Sequence, residues 1–274
     1  MFYEFLKFFA YQVCDLLPLG AETHVKLVSY YFNYESISSH QKIVCLIVLA
    51  LSIFTYFISD FYKMIKELFR AVWLLFIGRG TVREVCTDFK YLNLLLSILA
   101  VTASAYFSFM LGDYLGSSYY LIGGMLLVSA FALRVSETFA FVKTDGKLLG
   151  YREAFGFIVL QLLSSFSGAS RMALMMGGGK FMGIEKKHLI RFIFLSLAPV
   201  IVVRIVMLYP DMSVVYETVV GSIWTFIILF FSCLVFLAIS IRIFVSEGFY
   251  KLYYYLAGLG IWTILDFFFS KRGL

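Results

Sequence analysis

Six long apolar runs leave this chain few structures to adopt. They lie at about residues 43–60, 91–111, 118–138, 188–208, 214–241 and 252–269. A helix needs about 20 apolar residues to cross the hydrocarbon core of a bilayer, and these runs are long enough. Inside lipid, a helix satisfies all of its own backbone hydrogen bonds. The sequence therefore predicts an all-α integral membrane protein with six spans.

Composition and charge agree with this class. Hydrophobic residues make up 62% of the chain and charged residues 15%, whereas soluble domains are about 45–50% apolar. The net charge of +6 comes from loops that meet anionic lipid, and no basic stripe indicates nucleic acid. The four cysteines have no metal-binding spacing. A soluble domain and a nucleic-acid partner are excluded, and the lipid bilayer is the expected partner.

Two polar interruptions, at residues 15–24 and 164–171, divide shorter apolar stretches. The arms on each side are too short to span a bilayer, so we expect re-entrant hairpins at about 2–33 and 154–183. A pair of broken apolar segments at corresponding places in two halves is the best sequence indication of an embedded binding site. The sequence thus predicts one composite site where the two tips meet.

The chain is interpreted as one domain, 1–274, of two pseudo-repeats at about 1–140 and 141–274. Each half holds one hairpin and three spans, and because three is odd, the second half enters the membrane inverted. Lysine and arginine concentrate in 61–90 and 139–191, which places those regions in the cytoplasm. Both termini are then expected outside. The first hairpin would enter from outside and the second from the cytoplasm.

The residues at the two tips suit phosphoryl chemistry. Arg171 offers a planar fork for phosphate oxygens, and Ser170 beside it can be a nucleophile or a hydrogen-bond donor. His24 can move a proton. Asp15 and Glu22 can hold Mg²⁺ or Ca²⁺ against a diphosphate. Ionisable groups at membrane depth are costly, so function is expected here.

Each of these residues also has a structural interpretation. Arg171 can cap a helix or pair with a carboxylate, and Ser170 can bond to backbone. Glu22 can face outside water. Arg204 lies near the outer end of its span, where it is expected to snorkel to the interface. The sequence leaves the first three alternatives open and assigns Arg204 no role.

A family resemblance is carried by the two tips. The second reads Ser167-Gly-Ala-Ser-Arg-Met-Ala173, followed by Arg191-Phe-Ile-Phe-Leu-Ser-Leu-Ala-Pro199. It resembles the undecaprenyl-diphosphate phosphatase family, also called bacitracin-resistance proteins, with hallmarks P-G-x-S-R-S-G and R-F-S-F-L-L-x-x-P. The first, Asp15-Leu-Leu-Pro-Leu-Gly-Ala-Glu-Thr-His24, resembles the hallmark E-G-x-T-E-F-L-P-I-S-S-T-G-H. In length, span order and motif placement the resemblance covers essentially the whole chain.

The chain is divergent within these motifs. Asp15 stands at the second Glu, and Pro18, His24 and the Ser170-Arg171 pair match. Other positions carry residues that the family does not have: Tyr11 at the first Glu, Gln12 at its Gly, Gly20-Ala-Glu-Thr23 at S-S-T-G, Ser167 at Pro, and Met172-Ala173 at the final Ser-Gly. Glu22 is the candidate to restore the lost carboxylate, because it lies two residues from His24 on the same tip.

The resemblance implies hydrolysis of undecaprenyl diphosphate, or another polyprenyl diphosphate, to the monophosphate and phosphate. This would occur at the outer face of a bacterial inner membrane and recycle the carrier lipid for cell-wall peptidoglycan. The implied roles fall on the tip residues: catalysis by Ser170, Arg171, His24 and Asp15; substrate binding by Arg171, Glu22, Gly168 and Gln161; Mg²⁺ or Ca²⁺ held by Asp15 and Glu22. Ser170 and His24 remain alternatives as nucleophile.

Two other functions stay open. A non-catalytic paralogue that binds or translocates polyprenyl phosphate is favoured by the substituted motif positions. A solute transporter is favoured less, because no cation-coordinating pair is evident in the spans. The oligomeric state, including a homodimer, is also left open.

Overall fold

The computed structural model describes residues 2–32, 37–77, 89–115, 118–138, 151–208, 223–246 and 249–269. Throughout these ranges the regular structure is helical, without a strand, which confirms the all-α prediction. The α-helices are α1 (Phe2–Leu16), α2 (Ala21–Phe32), α3 (Ser39–Tyr56), α4 (Ile58–Phe76), α5 (Lys90–Leu115), α6 (Tyr119–Thr138), α7 (Tyr151–Leu163), α8 (Arg171–Phe181), α9 (Lys186–Met207), α10 (Ile223–Val245) and α11 (Leu252–Phe269).

Six of the described helices are long and apolar enough to cross a membrane, as predicted. They are α3, α5, α6, α9, α10 and α11, the last extended by a short 3₁₀ turn at Phe249–Lys251. The start of the predicted span 214–241 and residues 139–150 lie outside the described residues. The chain is therefore a multi-pass membrane protein.

Two helix starts show how polar residues fix the ends of the spans. At the start of α3, Ser38 N donates to Gln41 Oε1 at 3.1 Å, and Gln41 N donates to Ser38 Oγ at 3.3 Å, a capping box. At the start of α5, Glu67 Oε2 accepts from the backbone N of Tyr91 and Leu92 at 2.7 and 3.0 Å. Because Glu67 lies on α4, this carboxylate joins α4 to the positive end of α5.

Helix α9 is the centre of the fold. It packs against α3, α5, α8 and α10, and 61% of its spanning window is buried, against 22% for α10 and 17% for α11. The outer helices instead expose large apolar side chains such as Trp224 and Phe231. Apolar surface of this extent is expected where lipid, not water, surrounds the helices.

Helices α6 and α11 approach each other through two glycines. A Cβ on Gly123 would lie 2.8 Å from the Gly260 carbonyl oxygen, and one on Gly260 would lie 2.9 Å from that of Gly123. Small residues of this kind let membrane helices pack backbone to backbone.

Two pairs of short helices carry the predicted tips. The first short-helix pair is α1 and α2, joined by a turn at residues 17–20 in which Pro18 cannot continue the helix. The second is α7 and α8, where the hydroxyls of Ser164 and Ser165 donate to carbonyls of the last turn of α7, each at 2.6 Å. Such local bonds compete with helix continuation. Both connections therefore break where the sequence predicted.

The second turn contacts the first residues of α2, so the two predicted tips lie against each other. Gly168 N donates to Thr23 Oγ1 at 3.2 Å, and Lys26 Nζ donates to Ser167 Oγ at 3.2 Å. Gly168 has φ +101°, and a Cβ there would overlap the carbonyl of Ile122. This position therefore admits only glycine.

Candidate active site

A cavity of about 420 Å³ with several charged side chains in its lining lies where the two turns meet α5 and α9. Of the polar residues implied by the family resemblance, it is lined by Asp15, Glu22, Gln161, Ser170 and Arg171, together with the backbone of Gly168. Its charged lining comprises two carboxylates and four cations: Asp15, Glu22, Lys26, Lys42, Arg171 and Arg204. The excess of positive charge favours an anionic occupant.

Arg171 is the first residue of α8 and is held from two sides. Its Nε donates to Gln161 Oε1 at 2.7 Å, and its Nη2 donates to Ser196 Oγ at 2.9 Å. Its Nη1 is buried and has no hydrogen-bond partner among the described residues. The guanidinium is thus oriented by α7 and α9, with the N–H groups of Nη1 left for a further acceptor.

Ser170 is the N-cap of α8. Its Oγ accepts from Ala173 N at 3.4 Å, and its own N donates to Ser129 Oγ of α6 at 2.8 Å. The capping role is the kind of structural role that the sequence left open. The residue nevertheless lines the cavity beside Arg171.

Glu22, at the start of α2, is surrounded by hydrogen-bond donors. Its Oε1 accepts from Arg204 Nη2 and from the hydroxyl of Tyr11, the latter at 3.3 Å. Its Oε2 lies 3.4 Å from Lys42 Nζ. The carboxylate therefore lies beside Tyr11, the residue that stands at the family's first Glu.

Arg204 corrects the sequence interpretation. It was expected to snorkel to the interface, but it lines the cavity and pairs with Glu22, while its Nη1 lies 3.9 Å from Asp15 Oδ2. The reason is that the last turns of α9 lie beside the first short-helix pair, whose two carboxylates are closer partners than the interface. Glu22 contacts Arg204 and Lys42, while 40% of its side chain remains exposed.

His24 lies outside the cavity lining. Its Nδ1 is 3.0 Å from the Gly20 carbonyl oxygen, and its Nε2 is 2.9 Å from the hydroxyl of Tyr255 on α11. The carbonyl accepts from Nδ1–H, so Nε2 accepts from the Tyr255 hydroxyl. The structure thus brings the other predicted residues together and places His24 against α11.

The carboxylate oxygens of Asp15 and Glu22 are not arranged to bind a divalent cation. Both Glu22 oxygens face cationic groups, and Asp15 faces Arg204. Within the described ranges, no three His, Cys, Asp or Glu side chains come together as metal ligands. The Mg²⁺ or Ca²⁺ implied by the resemblance stays a prediction.

Sequence reasoning missed several residues of the site, among them Arg204, Ser196 and Lys42. Arg204 had a usable signal, because an ionisable residue within a span is functional by default. Ser196 had a weaker one, as a hydroxyl within the stretch that resembles the family. Lys42, near the start of α3, had none, because a lysine at a helix end is ordinary.

Fold and cavity together define the class: a polytopic α-helical membrane protein with a cationic cavity formed by two short-helix pairs. Comparison with known families then identifies the family. The chain belongs to the bacitracin resistance protein BacA family, whose sequence model matches residues 13–262. This confirms the family predicted from the tips.

Three relatives, each named undecaprenyl-diphosphatase, show how far the similarity extends. The protein of Leptospira biflexa is 26% identical over 285 residues, covering 96% of both chains. That of Thermosipho africanus is 27% identical over 191 residues, 68% of this chain and 70% of the relative. That of Christiangramia forsetii is 25% identical over 191 residues, 68% and 67% of the two chains.

Proposed function

We propose that this chain is a lipid-diphosphate phosphatase that hydrolyses undecaprenyl diphosphate to undecaprenyl phosphate and inorganic phosphate. Membership of the BacA family and the shared name of the relatives support the reaction. One observation extends the proposal to this chain's own residues. The Arg171 guanidinium is fixed by Gln161 and Ser196, and its Nη1 has no partner among the residues that the structure describes.

A buried donor without an acceptor is costly, so an anionic oxygen bound in the cavity would complete the site. Arginine presents parallel N–H groups that match phosphate oxygens. The cavity volume of about 420 Å³ lies within the usual range for ligand pockets. It suits a diphosphate head group, and the prenyl chain would then extend into the lipid.

The reaction breaks the bond between the terminal phosphorus and the bridging oxygen. Of the two nucleophile candidates, Ser170 lines the cavity and adjoins Arg171, whereas His24 does not. In the proposed sequence, Ser170 Oγ bonds to the terminal phosphorus while the bridging oxygen leaves with undecaprenyl phosphate and takes the hydroxyl proton. Water then attacks the phosphorus of the phosphoserine, which releases inorganic phosphate and returns a proton to Ser170 Oγ. Arg171 stabilises the charge on the transferred phosphoryl group.

The membrane arrangement belongs to the same proposal: an inverted repeat with re-entrant pairs, in a bacterial cell membrane, with the cavity reached from outside. The 12 residues of α2 rise about 18 Å, less than the ~30 Å of a hydrocarbon core. In the repeat, α1, α3 and α5 of the first half correspond to α7, α9 and α10 of the second. The contact of α5 with α9 then corresponds to that of α10 with α3, and the contact of α1 with α10 corresponds to that of α7 with α5. Both observations support the arrangement.

Phosphate release from undecaprenyl diphosphate by purified protein in detergent tests the reaction. We expect Arg171→Lys to reduce turnover by about 100-fold or more, because a point charge cannot replace the fork. Arg242→Lys is the matched control, since Arg242 is exposed in the last turn of α10. Lipid binding without phosphate release under any condition would instead establish the non-catalytic binder.

A further inference from the structure

Arg204 is held between the two cavity carboxylates. Nη2 is hydrogen-bonded to Glu22 Oε1, and Nη1 lies 3.9 Å from Asp15 Oδ2. A guanidinium carries five N–H donors. Contacts through the two Nη atoms do not use all five, so Arg204 retains donors for an anion in the cavity that it lines.

Arg204 and Arg171 line the same cavity. Asp15 lines the same cavity and interacts electrostatically with both guanidinium groups. Ser196, which holds Arg171, precedes Arg204 by eight residues on α9, about 12 Å along the helix axis. Helix side chains tilt toward the N-terminus, which brings the Arg204 side chain back toward Ser196. The two arginines therefore approach one cavity from α8 and α9.

We propose that Arg204 is a second diphosphate-binding residue and supplies the positive charge that a divalent cation would otherwise have to supply. The substrate identity rests on the proposed function. Arg171 binds one phosphoryl group and Arg204 the other, while Glu22 and Asp15 hold the Arg204 guanidinium in place. The cavity then binds a diphosphate without added metal.

The charges around Glu22 carry this inference. A metal ion bound by Glu22 and Asp15 would lie beside Arg204 and near Lys42, and like charges at that distance repel. Displacing Arg204 from its carboxylates would also leave a partly buried guanidinium without its partners, which is destabilising. Binding a diphosphate requires neither change, because an anion adds an acceptor to cations already in position.

Binding and turnover in chelator test the proposal separately from the reaction. Methylenediphosphonate, a non-hydrolysable diphosphate, is titrated into protein in EDTA by calorimetry, and phosphate release is followed with EDTA and with Mg²⁺. The double variant Arg204→Gln with Glu22→Gln removes both charges of the pair and so avoids a carboxylate without its cation. Arg204→Gln alone is the second variant, and Arg242→Gln is the matched control.

We expect wild-type protein and the Arg242→Gln variant to bind methylenediphosphonate equally in EDTA, and the double variant to bind at least 10-fold more weakly. Arg204→Gln alone frees two carboxylates, so its diphosphonate binding should become dependent on Mg²⁺. Wild-type binding that is lost in EDTA and restored by Mg²⁺ would overturn the proposal, as would unchanged affinity in the double variant. If the wild-type protein binds methylenediphosphonate in EDTA but releases no phosphate, the proposed reaction is contradicted and the binding role of Arg204 is not.

Discussion

The hydrogen bond from Arg171 to Gln161 gives the sharpest single prediction. Gln161→Leu keeps the size of a buried side chain but removes Oε1, which accepts from Arg171 Nε at 2.7 Å. A hydrogen bond to a charged group contributes about 1.5–3 kcal/mol, and about 1.4 kcal/mol corresponds to tenfold in rate. We therefore expect kcat/KM for phosphate release to fall about 10- to 150-fold.

The role assigned to Gln161 is positioning, so the assay must separate it from a general loss of structure. Gln161→Glu retains an oxygen acceptor for Arg171 and should recover most of the activity lost in Gln161→Leu. The two losses should also fail to add when Gln161→Leu is combined with Arg171→Lys, because both act through one guanidinium. Wild-type kcat/KM in a folded Gln161→Leu protein would refute the reasoning.

Three further predictions concern the turns and the candidate nucleophiles. Gly168→Ala should lower the melting temperature in detergent markedly, because its φ is +101° and Ile122 occupies the space; Gly124→Ala, with nothing within 4 Å, should leave it nearly unchanged. Ser170→Ala should reduce phosphate release by about 100-fold or more, and the lost N-cap should cost about 1 kcal/mol of stability; full activity would remove Ser170 as nucleophile. His24→Ala should reduce turnover less than Ser170→Ala in the same assay, because His24 contacts Tyr255 outside the cavity.

The sequence predicted those features that depend on local pattern. Apolar length identified the six spans, and the polar interruptions located both turns and Arg171. These signals are local because each span or break is specified by the residues within it.

The sequence did not predict which residues of distant segments contact each other. Glu22 and Arg204 are 182 residues apart, and His24 and Tyr255 are 231 apart. Apolar pattern identifies a span but not the neighbour against which its polar residue lies. That is why Arg204 was placed at the interface and why His24 was grouped with the cavity residues.

The long separation between Glu22 and Arg204 has a consequence for biosynthesis. The first short-helix pair is synthesised before α9, and its carboxylates wait for Arg204, which is synthesised 182 residues after Glu22. At 5–20 residues per second, the interval is about 10 to 40 s. During that time Glu22 can pair with Lys42, but Asp15 must stay in contact with water or head groups. Full entry of the first pair into the bilayer is therefore expected to follow the arrival of α9, making it a late step of assembly.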